Sequence, residues 1–449
     1  MNINKIIFAI LWIIFLVWII IVILNLNDNN NNVNNNSTKW VFKIWIVWDD
    51  VEPLKNTVDK FKSLHKEYSS LEILIESFSS YEEYYYSLVT SITSWKSPDL
   101  FVLNNNEKNS VFSNQTIVID PLTISINDFR KKFKWFFSDD LIVTLWDSNV
   151  KKEYLLWIPV WYETLGVFYN RRYVKNTDLS SISTLNNVIS NLKNTKPEIV
   201  PIWIWNGSTV YGVSDIITQF FMLESWVSWL NDLDSNKMKE WFSSYMTYWD
   251  LEWYNGYNSK YEELNSSWLN SLDLFSKWDT HMVVWYPRII KQIKEKWFWK
   301  NFLLATPFPH YYSWEWKTLV NYNYFVINKD STNKQLANSF LSYLSSDIWA
   351  LEYLKSYKYY LPALLSLESD KLEEKIHEDY NLVLWDFYSA DYDFGSFDKW
   401  IKNIYDKWII PILDNTSNYE SIFEKLKASI LCESKKISTL ENLSNDCKL

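Results

Sequence analysis

Two hydrophobic rhythms alternate along the N-terminal part of the chain. Val41 to Val47 (Val-Phe-Lys-Ile-Trp-Ile-Val) is a short apolar run that reads as a strand. Val51, Leu54, Val58, Phe61 and Leu64 then recur every three or four positions, which predicts an amphipathic helix. A second strand-like run, Leu71 to Ile75, precedes helical patterning over roughly 80–94, and a third run spans Leu100 to Leu103. The order β-α-β-α-β predicts a parallel sheet covered by helices. Ligands of such sheets bind at the carboxyl ends of the strands. That rule makes Asp49, Asp50, Asn104 and Asn106 candidates for a ligand-facing rim, against the plainer reading of ordinary loop polars.

Further along, Leu155 to Val160 reads as a strand leading into Thr164–Asn170. Mainly helical patterning covers 173–280. Three more strands are predicted at Met282–Val284, Phe302–Ala305 and Tyr324–Ile327, and a long amphipathic helix over 333–356. No repeat of solenoid length is present.

The N-terminus follows a different rule. Residues 6–24 carry no charge over 19 positions. As a helix they would span roughly 28 Å, close to the hydrocarbon thickness of a bilayer. Lys5 on the N-terminal side places the bulk of the chain outside the cytoplasm. No Ala-x-Ala site and no cysteine follow the stretch, which favours an uncleaved signal anchor over a removed signal peptide. Residues 25–38 are an asparagine-rich tract too polar to bury a core, and read as a tether.

With 449 residues, the chain is long enough for two hydrophobic cores. Its net charge of −10, with Lys and Arg scattered among acids, argues against a nucleic-acid partner. The two cysteines, Cys432 and Cys447, are either a disulfide closing a short tail loop or two unpaired thiols. They do not make a zinc site, and the 4 histidines (His65, His281, His310, His377) show no metal-ligand spacing. No nucleophile elbow, phosphate loop or paired-carboxylate signature is visible, so no cofactor is expected and the chain does not read as an enzyme.

One compositional feature changes how the aromatic residues are read. There are 28 Trp and only 5 Gly, whereas glycine is usually about 7% of a protein. Trp95 stands where a helix C-cap is expected, Trp314 and Trp316 flank Glu315 in a polar turn, and Trp161 stands at a predicted strand exit. Glycine suits such positions and tryptophan does not. A source that reads UGA codons as glycine would explain the pattern; a genuinely Trp-rich protein is the alternative. No single Trp is therefore assigned a ligand-stacking role.

The segment Trp157-Ile158-Pro159-Val160-Trp161-Tyr162-Glu163-Thr164-Leu165-Gly166-Val167-Phe168-Tyr169-Asn170 resembles the Gly-x-Pro…Leu-x-x-Tyr-Asn segment of family 1 extracellular solute-binding proteins, the sugar-receptor family of ABC importers. Four more segments resemble that family in its own order. They are Ser97-Pro98-Asp99-Leu100-Phe101, Trp278 to Trp285, Phe302 to Pro309, and Tyr324 through Leu344 followed by Leu361-Pro362-Ala363. The resemblance covers about 40–370. It departs at His281, where alanine is usual, and in the missing lipid-attachment cysteine.

The resemblance implies an α/β, two-lobed periplasmic-binding-protein-like fold, each lobe a mostly parallel sheet flanked by helices, joined by a hinge and preceded by a transmembrane helix. Lobe 1 is expected over 39–160 plus about 310–355, and lobe 2 over 161–309 plus about 356–449. The implied partners are a small solute (a mono- or oligosaccharide favoured), an ABC importer permease and the membrane through residues 1–24. The protein is expected as a monomer on the extracytoplasmic face. A membrane-anchored carbohydrate-active enzyme or a surface adhesion protein are the alternatives. By the same resemblance, Glu163 contacts sugar hydroxyls with Tyr162 beside it, and Tyr286 and Arg288 contact ligand. Tyr322 and Asn323 lie near the cleft. For Glu163 the other reading is a hinge salt bridge. Weaker candidates are Tyr81, Tyr84, Tyr85 and Tyr86, where a core-and-surface helix is the plainer reading, Trp205, Asn206 and Tyr211, and Tyr388, Asp391 and Tyr392.

Overall fold

The computed structural model describes residues 41–47, 51–105, 112–147, 150–174, 181–196, 198–204, 270–288, 302–309, 317–346 and 360–368, with a few shorter pieces such as Asp215, Ile216, Gln219 and 393–395. Asp49, Asp50, Asn106, the 205–211 loop, Trp314, Trp316, Tyr388, Asp391, Tyr392, both cysteines and residues 1–38 lie outside the described residues. Among the described residues no helix is long and apolar enough to cross a membrane.

The first unit begins as the alternation predicts. Strand β1 (Val41–Val47) turns Phe42, Ile44 and Ile46 inward, and helix α1 (Val51–Leu64) covers it with Leu54, Val58 and Phe61. Strand β2 (Glu72–Phe78) pairs in parallel with β1. Helix α2 (Tyr81–Thr93) is capped by Ser80, whose hydroxyl accepts the Glu83 N–H, and carries Glu82 and Glu83 in its first turn, where the helix dipole favours acids. Strand β3 (Leu100–Asn104) is buried throughout and runs parallel to β1.

A two-residue strand β4 (Thr116–Ile117), short helices α3 (Ile126–Lys132) and α4 (Trp135–Leu141), and an antiparallel hairpin of β5 (Ile142–Asp147) with β6 (Val150–Leu155) follow. The chain then crosses. Strand β7 (Ile158–Thr164) belongs to the first sheet, Leu165 follows, and β8 (Gly166–Asn170) belongs to the second. The second unit adds α5 (Ile182–Thr195), β9 (Val200–Ile202), α6 (Ser271–Lys277), β10 (Thr280–Trp285) and β11 (Leu303–Pro307). The long strand β12 (Lys317–Asn328) returns to the first sheet and leads to helix α7 (Lys334–Leu344), while β13 (Leu361–Pro362) flanks β7 and β14 (Asp393–Gly395) pairs with the start of β12.

The first sheet runs β13-β7-β12-β3-β1-β2 and the second β11-β8-β10-β9. Both are mixed rather than mostly parallel. A chain that leaves along β7 and returns along β12 makes those two strands antiparallel neighbours, and β8 lies antiparallel to both β10 and β11. The crossing falls at Leu165, so 161–164 lie in the first sheet rather than beginning the second unit. Residues 361–362, expected with the second unit, pair with β7 of the first. Helix α7 ends at Leu344, where the hydroxyl of Ser345 turns back to the Leu341 carbonyl at 2.6 Å; of the expected 333–356 helix, residues 347–356 lie outside the described residues.

Helices α2 and α6 end alike. The Lys96 N–H donates to Ser91 O (2.9 Å) and the Trp95 N–H to Ile92 O (3.3 Å). At α6, the Asp279 N–H donates to Leu274 O (3.0 Å) and the Trp278 N–H to Phe275 O (3.2 Å). This paired closure sets the next-to-last of its six residues in the left-handed region. Those residues are Trp95 (φ 59°) and Trp278 (φ 72°), the two positive-φ residues other than glycine among those described. A Cβ in that region costs roughly 1–2 kcal/mol. Trp161, in contrast, lies inside β7 in extended, buried backbone rather than at a strand exit.

His281 is buried in β10, its ring 4.3 Å from that of Tyr173. Burial lowers its pKa to about 4 from the usual 6.5, with Glu198 opposing and Lys196 assisting. The unfolded chain takes up this proton near pH 6.5 and the folded chain only near pH 4. The stabilisation is therefore complete above pH 6.5 and is lost as pH falls from 6.5 towards 4, by about 3 kcal/mol in all. Urea unfolding from about pH 7.5 down to about pH 4.5 should show this slope, and His281→Leu should flatten it; an unchanged slope in that variant would exclude His281 as the cause.

Candidate functional site

The two sheets meet at their strand ends. Strands β1, β3 and β7 run parallel to one another, and β7 passes straight into β8, so their carboxyl ends point at the second sheet. The carboxyl ends of β10 and β11 reach back to the same junction, because Trp285 and Pro307 both pair with Gly166 at the amino end of β8. This junction is where strand-end rules place a ligand crevice in an α/β protein.

At its centre is an ion pair between the units. Glu163, on β7, is completely buried. Its Oε2 lies 2.6 Å from Nη1 of Arg288, and its Oε1 accepts the Arg288 backbone N–H at 3.0 Å. Arg288 follows β10 through Tyr286 and Pro287, and its guanidinium lies over the rings of Tyr286 (4.8 Å) and Trp285 (5.4 Å). Burial raises the Glu163 pKa above the usual carboxylate value, opposed by the charge and hydrogen bonds of Arg288. For Arg288 burial works most strongly against the charge, but Glu163, Tyr360, Tyr286 and Asp215 together outweigh it and its pKa is raised. The Tyr286 hydroxyl donates to Asp215 at 3.2 Å, and burial beside that acid pushes its pKa well up.

An amide cluster forms the first-sheet wall. Asn104 Nδ2 donates to Asn321 Oδ1 (2.6 Å) and Asn323 Oδ1 (2.8 Å) across the β3–β12 pairing. Asn105 clamps β12 from the side, donating to Val320 O and accepting the Tyr322 N–H. Tyr322 packs edge-on against Phe137 (4.9 Å), and its hydroxyl donates to Asp140. Gln219 Oε1 accepts the Leu319 N–H at 2.6 Å and the Thr318 hydroxyl at 3.2 Å, anchoring the start of β12. The buried Asn323 Nδ2 and Thr164 Oγ1 have no hydrogen-bond partner among the described residues.

Of the residues singled out from sequence, Asn104, Tyr162, Glu163, Tyr286, Arg288, Tyr322 and Asn323 all lie at this junction. Their faces differ. Tyr162, Tyr286 and Tyr322 are buried in side-chain packing; Tyr162 lies against Phe136 (5.5 Å) and Phe137 (6.1 Å) with Lys134 over its ring. Glu163 is engaged with Arg288, which is the salt-bridge reading of that residue, while the Arg288 side chain keeps 29% of its surface exposed and Asn321 is half-buried. Tyr84 is a core residue whose hydroxyl donates to Val102 O at 2.6 Å, Tyr85 packs on Phe112, and Tyr86 is exposed. Sequence reasoning missed Asn105, Asn321, Asp140, Asp215 and Gln219. For Asn321 a signal existed, since it shares a strand face with Asn323 two positions on.

The family model for bacterial extracellular solute-binding protein matches residues 56–381. The chain belongs to that family. As a bacterial extracellular solute-binding protein it is a binding protein rather than an enzyme, with an extracytoplasmic place of work. No curated protein matches its sequence. Several solved structures share its fold. The sugar-binding protein MalE from the phytopathogen Xanthomonas citri is 14% identical, with a TM-score of 0.68, over 90% of this chain and 100% of that one. The ABC substrate-binding protein Lmo0181 from Listeria monocytogenes, in complex with cycloalternan, is 13% identical (TM-score 0.65; 88% and 99% covered). Maltose-bound MalE3 from T. maritima is 14% identical (TM-score 0.64; 88% and 100% covered). The likeness establishes the two-lobed α/β fold that the paired sheets and the crossing at Leu165 outline.

Proposed function

We propose that this solute-binding protein captures a mono- or oligosaccharide between its two units and delivers it to the permease of an ABC importer. It works as a monomer held at the extracytoplasmic face by residues 6–24, with 25–38 as tether. The observation that carries the reading is the convergence of strand ends from both sheets on a wall of asparagine amides and a part-exposed guanidinium. Amides both donate and accept, as sugar hydroxyls do, and a guanidinium offers a fork of N–H donors. Arg288 and Asn321 are the groups that would face the solute. Glu163 acts behind Arg288 by fixing its position. Cycloalternan, maltose and maltotetraose, the ligands of structurally similar proteins, set the first panel.

A solute that binds only the folded state at a hundred times its Kd adds about 2.7 kcal/mol. For units of 150–250 residues each kcal/mol moves Tm by roughly 2–4 °C. A rise of several degrees with one of these sugars is expected in thermal unfolding. No shift with any saccharide, together with a shift for a peptide or polyamine, would move the protein to another ligand class.

A further inference from the structure

We infer that positions 95 and 278 are glycine in the protein as its source makes it, their codons being UGA read as glycine. The geometry is specific. Two helices, far apart in sequence and in different units, close with the same pair of reversed hydrogen bonds. In both, the residue forced to positive φ is tryptophan. The left-handed position of this motif is glycine's commonest structural niche, because only a residue without Cβ enters it freely. For a bulky side chain it is an outlier that needs a reason.

The surroundings supply no such reason at Trp95, which is 83% exposed. Trp278 is half-buried, edge-on to Tyr173 (6.1 Å) and Phe302 (5.8 Å), so a local contact could be its reason but not a shared one. Composition points the same way independently. Trp and Gly together make up about 7% of the chain, the share glycine alone usually takes. Tryptophan has taken glycine's numbers and, wherever the described backbone turns left-handed at a residue other than glycine, its place too.

Two measurements decide it. The first is the gene and the protein from its source cells: codons 95 and 278 are expected as UGA, and peptides spanning Ser91–Pro98 and Leu274–Met282 are expected at the mass of glycine. UGG at both codons, or the mass of tryptophan in both peptides, overturns the inference. The second needs only recombinant full-length chain. Trp95→Gly should raise the folding equilibrium constant about tenfold, while Trp95→Ala, which keeps a Cβ, should gain clearly less. Equal stability of the Trp, Ala and Gly chains would mean that no left-handed turn exists at 95, and would remove the structural basis. Position 278 is left out of this arm because its indole contacts would be lost with the side chain. Sugar binding plays no part in either readout, so the inference stands or falls apart from the receptor function.

Discussion

Replacing Arg288 by alanine is expected to destabilise the protein by about 3–5 kcal/mol, because Glu163 would be left as a buried, unpaired carboxylate. The partner substitution Glu163→Gln should cost less. It keeps an acceptor for the Arg288 N–H, and the guanidinium it leaves behind retains partial contact with water. The decisive variant is the double one. Glu163→Met with Arg288→Met removes both charges and fills similar volume, and replacements of that kind have been neutral or stabilising elsewhere. Most of the loss in Arg288→Ala should therefore return in the pair. A double-mutant cycle from urea unfolding, with Glu163→Met and Arg288→Met as its single variants, measures the coupling: an energy below about 0.5 kcal/mol would mean that the pair contributes nothing between the units. The folded double variant also separates stability from recognition. If Arg288 faces the solute, the double variant keeps its Tm but loses the sugar-induced rise.

How much of this was legible beforehand follows from where the signals lie. The order β-α-β-α-β at the start of the chain was legible, with β1 and α1 at their expected bounds because the Val41–Val47 run is too short for a helix and the Val51–Leu64 spacing is helical. Strand β2 runs to Phe78, past the expected Ile75, because Glu76 and Ser77 break its apolar run. The β5–β6 hairpin was not legible, because β6 reads Val-Lys-Lys-Glu-Tyr, without an apolar face, and the apolar β5 leaves Leu145 and Trp146 in solvent instead of packing them on a core. Strand β9 is three residues long and gave too little pattern to stand out from the helical tract around it. At the site, Glu163 and Arg288 were both named, but their pairing was not. They are 125 residues apart, and only the crossing at Leu165 brings the end of β7 beside the end of β10. The family resemblance assigns Tyr162 and Tyr286 to ligand, and Tyr322 to the cleft's neighbourhood; that their rings pack inward is not legible in sequence, where an aromatic next to polar residues looks the same either way. Asp215 and Gln219 had no local signal at all; what they bond lies on other elements.

The second large effect is expected far from the cleft, at Asp99. Its Oδ2 accepts the Lys43 N–H at 2.8 Å, and its Oδ1 accepts the Ser331 hydroxyl at 2.5 Å and the Asn333 amide at 3.1 Å. Its backbone carbonyl takes the Asn328 N–H, and the Asn328 side chain donates to Ser97 Oγ and Pro98 O. Ser97-Pro98-Asp99 thus ties β1, the entry to β3 and the β12–α7 turn into one buried knot, a structural rather than a ligand-binding use of that motif. Asp99→Ala removes the acceptor for three donors at once, and each donor stranded in the interior costs about 1–3 kcal/mol. Partial rescue by water should leave a loss of about 3 kcal/mol. Ser331→Ala removes one donor to Asp99 and the acceptor of the half-buried Asn333 N–H (3.0 Å), which can turn to water, so a smaller loss of about 1–2 kcal/mol is expected there. Asp99→Asn is the informative intermediate. It restores one acceptor but turns an NH2 towards either the Lys43 N–H or the Ser331–Asn333 pair, so its loss should approach that of alanine. Stability within 0.5 kcal/mol of the parent for Asp99→Ala, by urea unfolding, would show that the carboxylate does not hold these three segments together.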